Sequence, residues 1–475
     1  MRLKTLSHIK TIAAFASILF CTAAFMGIAV PLLPKAQLIP ALLAGNVVVL
    51  GFLFLVTLFI GRIYCSLICP LGIYQDGVHF LARKLWKKKK GTYKAEHAKL
   101  RYGFLLLAAA SLLLGSTSLF LLLDPYSIYG RLASDLWLTP WRTARGLLSV
   151  GSTIALAGAL LYWVIISAFA IKGGRLYCNT ICPAGTLLGS ISRFALYQPR
   201  FNEEKCISCG LCERLCPSNC IDVKNKTVDT SRCVDCLQCV SHCPKRAITF
   251  ARKGVKNVQP AESVPQGSAI SRRQFLAGTA IAAGSAAVAL AKGPMALKPV
   301  LAQSTKPFIL PPGALSQTHL SQNCTACHLC ISRCPGHVLR PFTWTQGLDR
   351  MGQPYMDHSL GHCLYDCHAC SEACPTGAIR PITLEEKRHT QIGVASVDRS
   401  KCLVDIRGAH CGRCAMKCPA RAIDLVTGKD KRVRPQVNFE KCLGCGACHA
   451  VCPADPKAIN VYPVDQQVDL RKLAW

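Results

Sequence analysis

The sequence predicts a mixed fold, an α-helical membrane bundle of four spans followed by small α+β domains, and three observations carry that prediction. Four apolar stretches within the first 171 residues are each long enough to cross a bilayer as a helix. Most of the 30 cysteines fall into groups of four with nearly one spacing. Partway along the chain a pair of arginines precedes a mild run rich in Ala and Gly. At 475 residues the chain is also too long for one ordinary core, so several domains are expected.

The apolar stretches are Thr11–Leu33, Gln37–Ile60, Gly103–Leu123 and Gly146–Ile171. Their connections differ in charge. The N-terminus carries Arg2, Lys4 and Lys10, and the second connection is crowded with Lys and Arg from Arg62 to Arg101. The first connection has only Lys35, and the third only Arg131, Arg142 and Arg145. Positive charge collects on the cytoplasmic side, so the N-terminus and the segments after the second and fourth spans are placed in the cytoplasm. The second and fourth spans close in one shared sequence. Gly61-Arg62-Ile63-Tyr64-Cys65-Ser66-Leu67-Ile68-Cys69-Pro70 is matched by Gly174-Arg175-Leu176-Tyr177-Cys178-Asn179-Thr180-Ile181-Cys182-Pro183. Duplication of a helical hairpin, about a pseudo-twofold axis along the membrane normal, is the simplest account.

Beyond the spans the cysteines follow one grammar. Cys206, Cys209, Cys212 and Cys216 are spaced C-x2-C-x2-C-x3-C and followed by proline. Cys233, Cys236, Cys239 and Cys243 repeat this, as do Cys324, Cys327, Cys330 and Cys334, and Cys442, Cys445, Cys448 and Cys452. Cys363, Cys367, Cys370 and Cys374 open with a wider gap, and Cys402, Cys411, Cys414 and Cys418 with a wider one still. Three cysteines two residues apart let one tight loop wrap three corners of a [4Fe–4S] cube, while the fourth ligates the other cluster of a pair. The expectation is six [4Fe–4S] clusters in α+β domains of the bacterial ferredoxin type. Their ligand sets are Cys206, Cys209, Cys212 with Cys243; Cys233, Cys236, Cys239 with Cys216; and Cys324, Cys327, Cys330 with Cys374. The remaining sets are Cys363, Cys367, Cys370 with Cys334; Cys402, Cys411, Cys414 with Cys452; and Cys442, Cys445, Cys448 with Cys418.

Other readings of the composition fit less well. Secreted disulfide frameworks are short and lack long apolar runs, and zinc favours two separated C-x2-C pairs. A formal charge of +31 suggests nucleic acid, but each oxidised cluster with its four thiolates carries roughly −2 and six would cancel on the order of 12 charges. Many of the other cations flank spans, and no nucleic-acid-binding motif accompanies them. No dinucleotide fingerprint is present, so hydride chemistry has no evident site.

The domain organisation follows. Residues 1–200 form the four-helix membrane domain and 201–250 a cytoplasmic two-cluster ferredoxin domain. Residues 251–302 hold a polar linker and then Ser271-Arg272-Arg273-Gln274-Phe275-Leu276 before the apolar run, a twin-arginine export signature. Val300-Leu301-Ala302 resembles a cleavage site; without cleavage the run is a fifth span. Residues 303–475 become a periplasmic four-cluster domain, and the whole belongs in the bacterial cytoplasmic (inner) membrane.

Cys65, Cys69, Cys178 and Cys182 stand apart from this grammar. They are read as a seventh metal centre, as a redox-active disulfide, or as thiols left free in a structural turn. Cys21 and Cys220 are read as structural, and His328, His362, His368, His410 and His449 as neighbours that tune potential or face solvent.

On the duplicated C-x3-C-P motifs and the two groups after them, the first 250 residues resemble the NapH/MauN group of four-span ferredoxin-type membrane proteins. Ser271–Trp475 resembles the NapG/MauM group, with its twin-arginine signal and four clusters' worth of cysteines. The resemblance implies a fusion of two partners that pass electrons from membrane quinol to a periplasmic reductase, of the nitrate reductase type, or to a cytochrome. The quinone pool and membrane lipid are then partners. The alternative is a non-catalytic maturation or reactivation factor delivering electrons or clusters to a periplasmic metalloenzyme. Candidate proton carriers for quinol are Tyr74, Asp76 and His79 on one face and Asp124, Tyr126 and Tyr129 on the other.

Overall fold

The computed structural model describes residues 2–28, 31–85, 93, 95–115, 117, 119–144, 150–252, 308–343 and 346–472. The twin-arginine sequence, the run behind it and the cleavage-site sequence lie outside these residues, as does most of the linker.

Two of the expected spans are continuous helices: α1 (Arg2–Phe25) and, further on, Val150–Gly173. Their Ser7–Phe25 and Leu156–Gly173 segments are long and apolar enough to cross a membrane. The other two are interrupted. The second breaks into α2 (Leu38–Leu43) and α3 (Val47–Ile60), because Gly45 turns the chain at φ +65° and the Asn46 side chain accepts the Val49 N–H at 3.1 Å to start α3 afresh. Its 14 residues reach only about 21 Å. The third ends early, in a helix that closes at Leu113 before Gly115 at φ +72°.

After the first C-x3-C-P comes α4 (Pro70–Leu85), after the second connection α5 (Ala98–Leu113), and in the third connection a helix that sequence periodicity had not singled out, α6 (Pro125–Ala144). Then follow α7 (Val150–Gly173) and α8 (Pro183–Ser192). The repeats interlock: α4 packs on α1 and on α7 of the other repeat, while α8 packs on α5 and on α3. Large apolar side chains remain exposed around this bundle, among them Phe15, Val48, Phe52, Leu106, Leu161 and Val164.

The cysteine-rich parts are small and β-edged. β1 (Tyr197–Phe201) pairs antiparallel with β4 (Ile248–Arg252), bracketing the hairpin of β2 (Ile221–Asp222) and β3 (Thr227–Val228). In the second half β5 (Leu339–Pro341) pairs with β6 (Pro354–Met356), β7 (Thr390–Val397) with β10 (Ile459–Asp469), and β8 (Ile423–Thr427) with β9 (Val433–Val437). Their cores are built on the cysteines themselves together with Ile, Val and Ala.

Candidate metal centres and the buried cysteines between them

The four regular cysteine loops share an uncommon backbone. The residue before the second cysteine and the residue after it are both left-handed: Ser208 and Gly210, Asp235 and Leu237, Ala326 and His328, Gly444 and Gly446. For a side-chain-bearing residue that conformation costs about 1–2 kcal/mol, so a tight wrap with inward-facing sulfurs is imposed by the surrounding structure. The wider-gapped loops differ, His368 and Gly412 having extended φ values of −131° and −142°. After most Cys-Pro pairs the chain turns again through a left-handed residue: Asn219, Arg246, His337, Gly377 or Arg421. That turn brings an N–H onto the fourth sulfur, from Ala247 to Cys243 (3.2 Å), Ile379 to Cys374 (3.3 Å) and Ala422 to Cys418 (3.3 Å).

Cavities lie inside these loops. Cys206, Cys209, Cys212 and Cys243 line one; Cys324, Cys327, Cys330 and Cys374 another; Cys402, Cys411, Cys414 and Cys452 a third; and Cys442, Cys445, Cys448 and Cys418 a fourth. Cys216, Cys233, Cys236 and Cys239 line a fifth, which Cys220 also joins. Cys334, Cys363, Cys367 and Cys370 are likewise electrostatic neighbours. Burial pushes Cys324, Cys363 and Cys448 up to about 12, and Cys212 and Cys414 up to about 11. Such thiols stay protonated at neutral pH unless a metal holds them as thiolates. Four sulfurs around an apolar cavity, with amides aimed at them, form a donor set that fits a [4Fe–4S] cluster. Among the described residues no three His, Cys, Asp or Glu side chains converge as the ligands of one ion. The corner sulfurs of a cubane stand farther apart than that.

Cys220, read from sequence as structural, sits with its sulfur 3.5 Å from that of Cys216. Its hydrogen bond holds the Cys216 thiol below the ordinary thiol range. The sequence signal was only its place four residues after a cluster cysteine.

The cysteines of the two C-x3-C-P motifs come together. Cys65, Cys69, Cys178 and Cys182 are all buried and all belong to one apolar core. The same core also holds Val234, Cys327, Leu329 and Ala373, with Cys236 packed against it. Both ends are docked by polar contacts. On the first ferredoxin, Arg62 Nη1 donates to the Ser231 carbonyl (2.9 Å), and Arg175 N to the Pro217 carbonyl (2.8 Å). The loops met are those of Cys233 and Cys216, which line the same cavity. On the second half, the Thr117 hydroxyl donates to the Cys324 carbonyl (2.7 Å), and Arg333 Nη1 to the Gly27 carbonyl (3.1 Å). His328 Nδ1 pairs with Asp135 of α6 at 3.2 Å, a contact with no trace in sequence spacing. A Cβ added to Gly130 would lie 2.6 Å from the Cys327 carbonyl, so the loop rests directly on α6.

Further along, Cys330 and Cys370 are electrostatic neighbours, and the Cys363 N–H donates to the Cys445 carbonyl at 2.9 Å. The Cys330 site thus adjoins the Cys370 site, and the Cys363 loop contacts that of Cys445. Of the remaining histidines, the His449 ring nitrogen Nδ1 contacts the Ile459 carbonyl (2.8 Å), and His368 lies 3.6 Å from Glu372.

The candidate proton carriers separate. The Tyr74 hydroxyl meets Ser167 (2.8 Å), Asp76 is paired with Arg175, and His79 meets the Ala170 carbonyl (3.1 Å), all three on α4 against α7 or its end. Asp124 and Tyr126 are buried in the shared core region, with Asp124 accepting from the Ser127 hydroxyl (2.6 Å), while Tyr129 meets Thr22 (2.5 Å).

Comparison with known proteins agrees with the cysteine chemistry. Models for 4Fe-4S binding domains match residues 42–89 with 156–201, and 321–346; models for 4Fe-4S dicluster domains match 205–247 and 395–461. The ferredoxin-type protein NapG of Escherichia coli (strain K12) is 33% identical over 203 residues, 41% of this chain and 86% of that protein. The methylamine utilization ferredoxin-type protein MauM of Methylobacillus flagellatus is 31% identical over 159 residues, 32% of this chain and 67% of that one. MauN of the same organism is 29% identical over 176 residues, 37% of this chain and 54% of MauN. No solved structure matches.

Proposed function

Since the chain belongs to the ferredoxin-type family that includes NapG and MauM, and is an iron–sulfur electron-transfer protein, we propose that it draws electrons from membrane quinol and delivers them to a periplasmic reductase. The single observation that carries this reading is that Cys236, the four C-x3-C-P cysteines and Cys327 share one apolar core. Sites that share one apolar core suit electron passage between two compartments, because a bilayer opposes the movement of bare charge.

In this reading residues 1–200 are a NapH/MauN-type membrane domain, and the exposed apolar side chains of α1, α3, α5 and α7 face lipid. Residues 201–250 are the cytoplasmic ferredoxin domain. Residues 303–475, carried out by the twin-arginine signal, are the periplasmic one. Six clusters take the expected ligand sets, five of which line the cavities, and each bound cluster would supply a one-electron carrier. The residues of the chain do the rest. Left-handed loops hold the sulfurs inward, Ala247, Ile379 and Ala422 present N–H donors to them, and the apolar lining excludes water. Asp124 and Tyr126, buried beside the core, are the candidate acceptors of a quinol proton, and a nitrate-reductase-type enzyme is the favoured electron acceptor.

The test is turnover. Full-length protein in detergent, given a quinol and a soluble high-potential acceptor, should oxidise quinol in many cycles. A single stoichiometric reduction with no turnover would favour a maturation or reactivation factor instead.

A further inference from the structure

We propose that Lys387, through its buried ammonium, raises the reduction potentials of the two clusters that the Cys363 and Cys445 loops would bind, so that an electron arriving from the Cys330 side is held there. This rests on the electron-carrier reading and adds a residue that sets the energy of one step in it.

The Cys363 loop departs from the regular grammar by one residue, with Leu364, Tyr365 and Asp366 between its first two cysteines. None of residues 364–369 is left-handed, so this wrap is not held by the strained backbone of the regular loops. Lys387 holds it from outside. It lies on the short helix Leu384–His389, whose start is fixed by a capping box of Thr383 and Glu386. From there its ammonium donates to the carbonyl of Leu364 and to that of Tyr365 (2.9 Å), and it lies over the Tyr365 ring at 5.6 Å. The widened gap thus presents two carbonyls to one cation.

Burial makes that cation matter. Lys387 is only 3% exposed and forms no ion pair among the described residues. The Asp366 carboxylate of the same loop is largely exposed and is paired with Arg388. Glu385 and Glu386 of its own helix are engaged by Arg471 and by Thr383. The electrostatic neighbours of the ammonium include Cys363 and Cys445. Those two cysteines belong to different expected ligand sets, and the Cys363 N–H donates to the Cys445 carbonyl at 2.9 Å, so one ammonium serves both sites. A buried charge without a counterion is strongly disfavoured, and four-thiolate clusters, each with net negative charge, supply the counterion from two sides. The effect is mutual. An electron added at either site gains attraction to the ammonium, where water screens it poorly, and the reduced state is favoured.

The experiment is a redox titration of anaerobically purified full-length protein followed by EPR, with iron counts, for wild type, Lys387→Gln and Lys387→Arg. Gln can still donate to a loop carbonyl but carries no charge, whereas Arg keeps the charge. Each protein should hold about 24 iron atoms. Lys387→Gln should move two of the cluster couples to lower potential, by on the order of tenfold in the ratio of reduced to oxidised, or about 59 mV for one electron. Lys387→Arg should stay near wild type. Unchanged potentials in an iron-replete Lys387→Gln overturn this proposal alone. Iron lost from that variant overturns it too, since Lys387 is then needed to build the sites rather than to tune them. Wild type without iron overturns the electron-carrier reading itself.

Discussion

Arg175 of the second C-x3-C-P motif donates from Nη1 to the carbonyl of Cys65 in the first, at 2.6 Å. The relation is returned, Arg62 Nη2 lying 3.5 Å from the carbonyl of Cys178. Each repeat thus pins the other's cysteine turn, which makes the duplicated Gly-Arg a structural requirement of the pair.

Replacing Arg175 with Gln leaves Asp76 without its partner and the Cys65 carbonyl without its donor. Asp76 retains about a third of its exposure, so the cost falls below the 3–5 kcal/mol of a fully buried broken pair, at about 2 kcal/mol. Thermal unfolding in detergent should show a lower midpoint, with Arg175→Lys falling in between.

Gly72 and Gly185 occupy equivalent places three residues after the motif cysteines. A Cβ there would sit 2.2 Å from the Cys65 carbonyl oxygen and 2.3 Å from that of Cys178, closer than real contacts allow. Gly72→Ala and Gly185→Ala should each lower the yield of folded protein, whereas Gly77→Ala, in open space on the same helix as Gly72, should not.

Cys220 stands beside Cys216, a proposed cluster ligand. Cys216→Ala should therefore retain the iron of its site, with Cys220 taking the ligand position and a changed reduction potential, while the C216A/C220A variant should lose about four iron atoms. Equal loss in both variants would refute the exchange.

His358 is buried against His449, and burial together with that neighbour lowers it to about 4. It is neutral in the folded chain down to that pH, whereas an unfolded histidine takes up a proton near 6.5. Unfolding therefore binds a proton between about pH 6.5 and 4, and stability falls as pH drops through that window, by up to about 3 kcal/mol. Denaturant midpoints of the full chain should follow this slope, and His358→Gln should flatten it.

Much of the site was readable from spacing. The cysteine grammar marks the loops that wrap the cavities, and the repeated decapeptide marks the two turns that meet in the core. What could not be read depends on tertiary packing. Gly45 and Gly115 interrupt stretches that are apolar enough to look continuous, because hydropathy does not register a left-handed turn. α6 carries Asp135 to His328 across 193 positions, which no local pattern announces.

Electron passage between the two ferredoxin halves through the membrane cysteines is most directly tested in sealed liposomes carrying the full chain and an impermeant oxidant inside. An impermeant reductant added outside should reduce the interior oxidant in wild type and fail to do so in the C65S/C178S variant, although the outward-facing clusters of both are reduced. Equal transfer by the variant, or none by a wild type whose clusters are all present, would contradict the account.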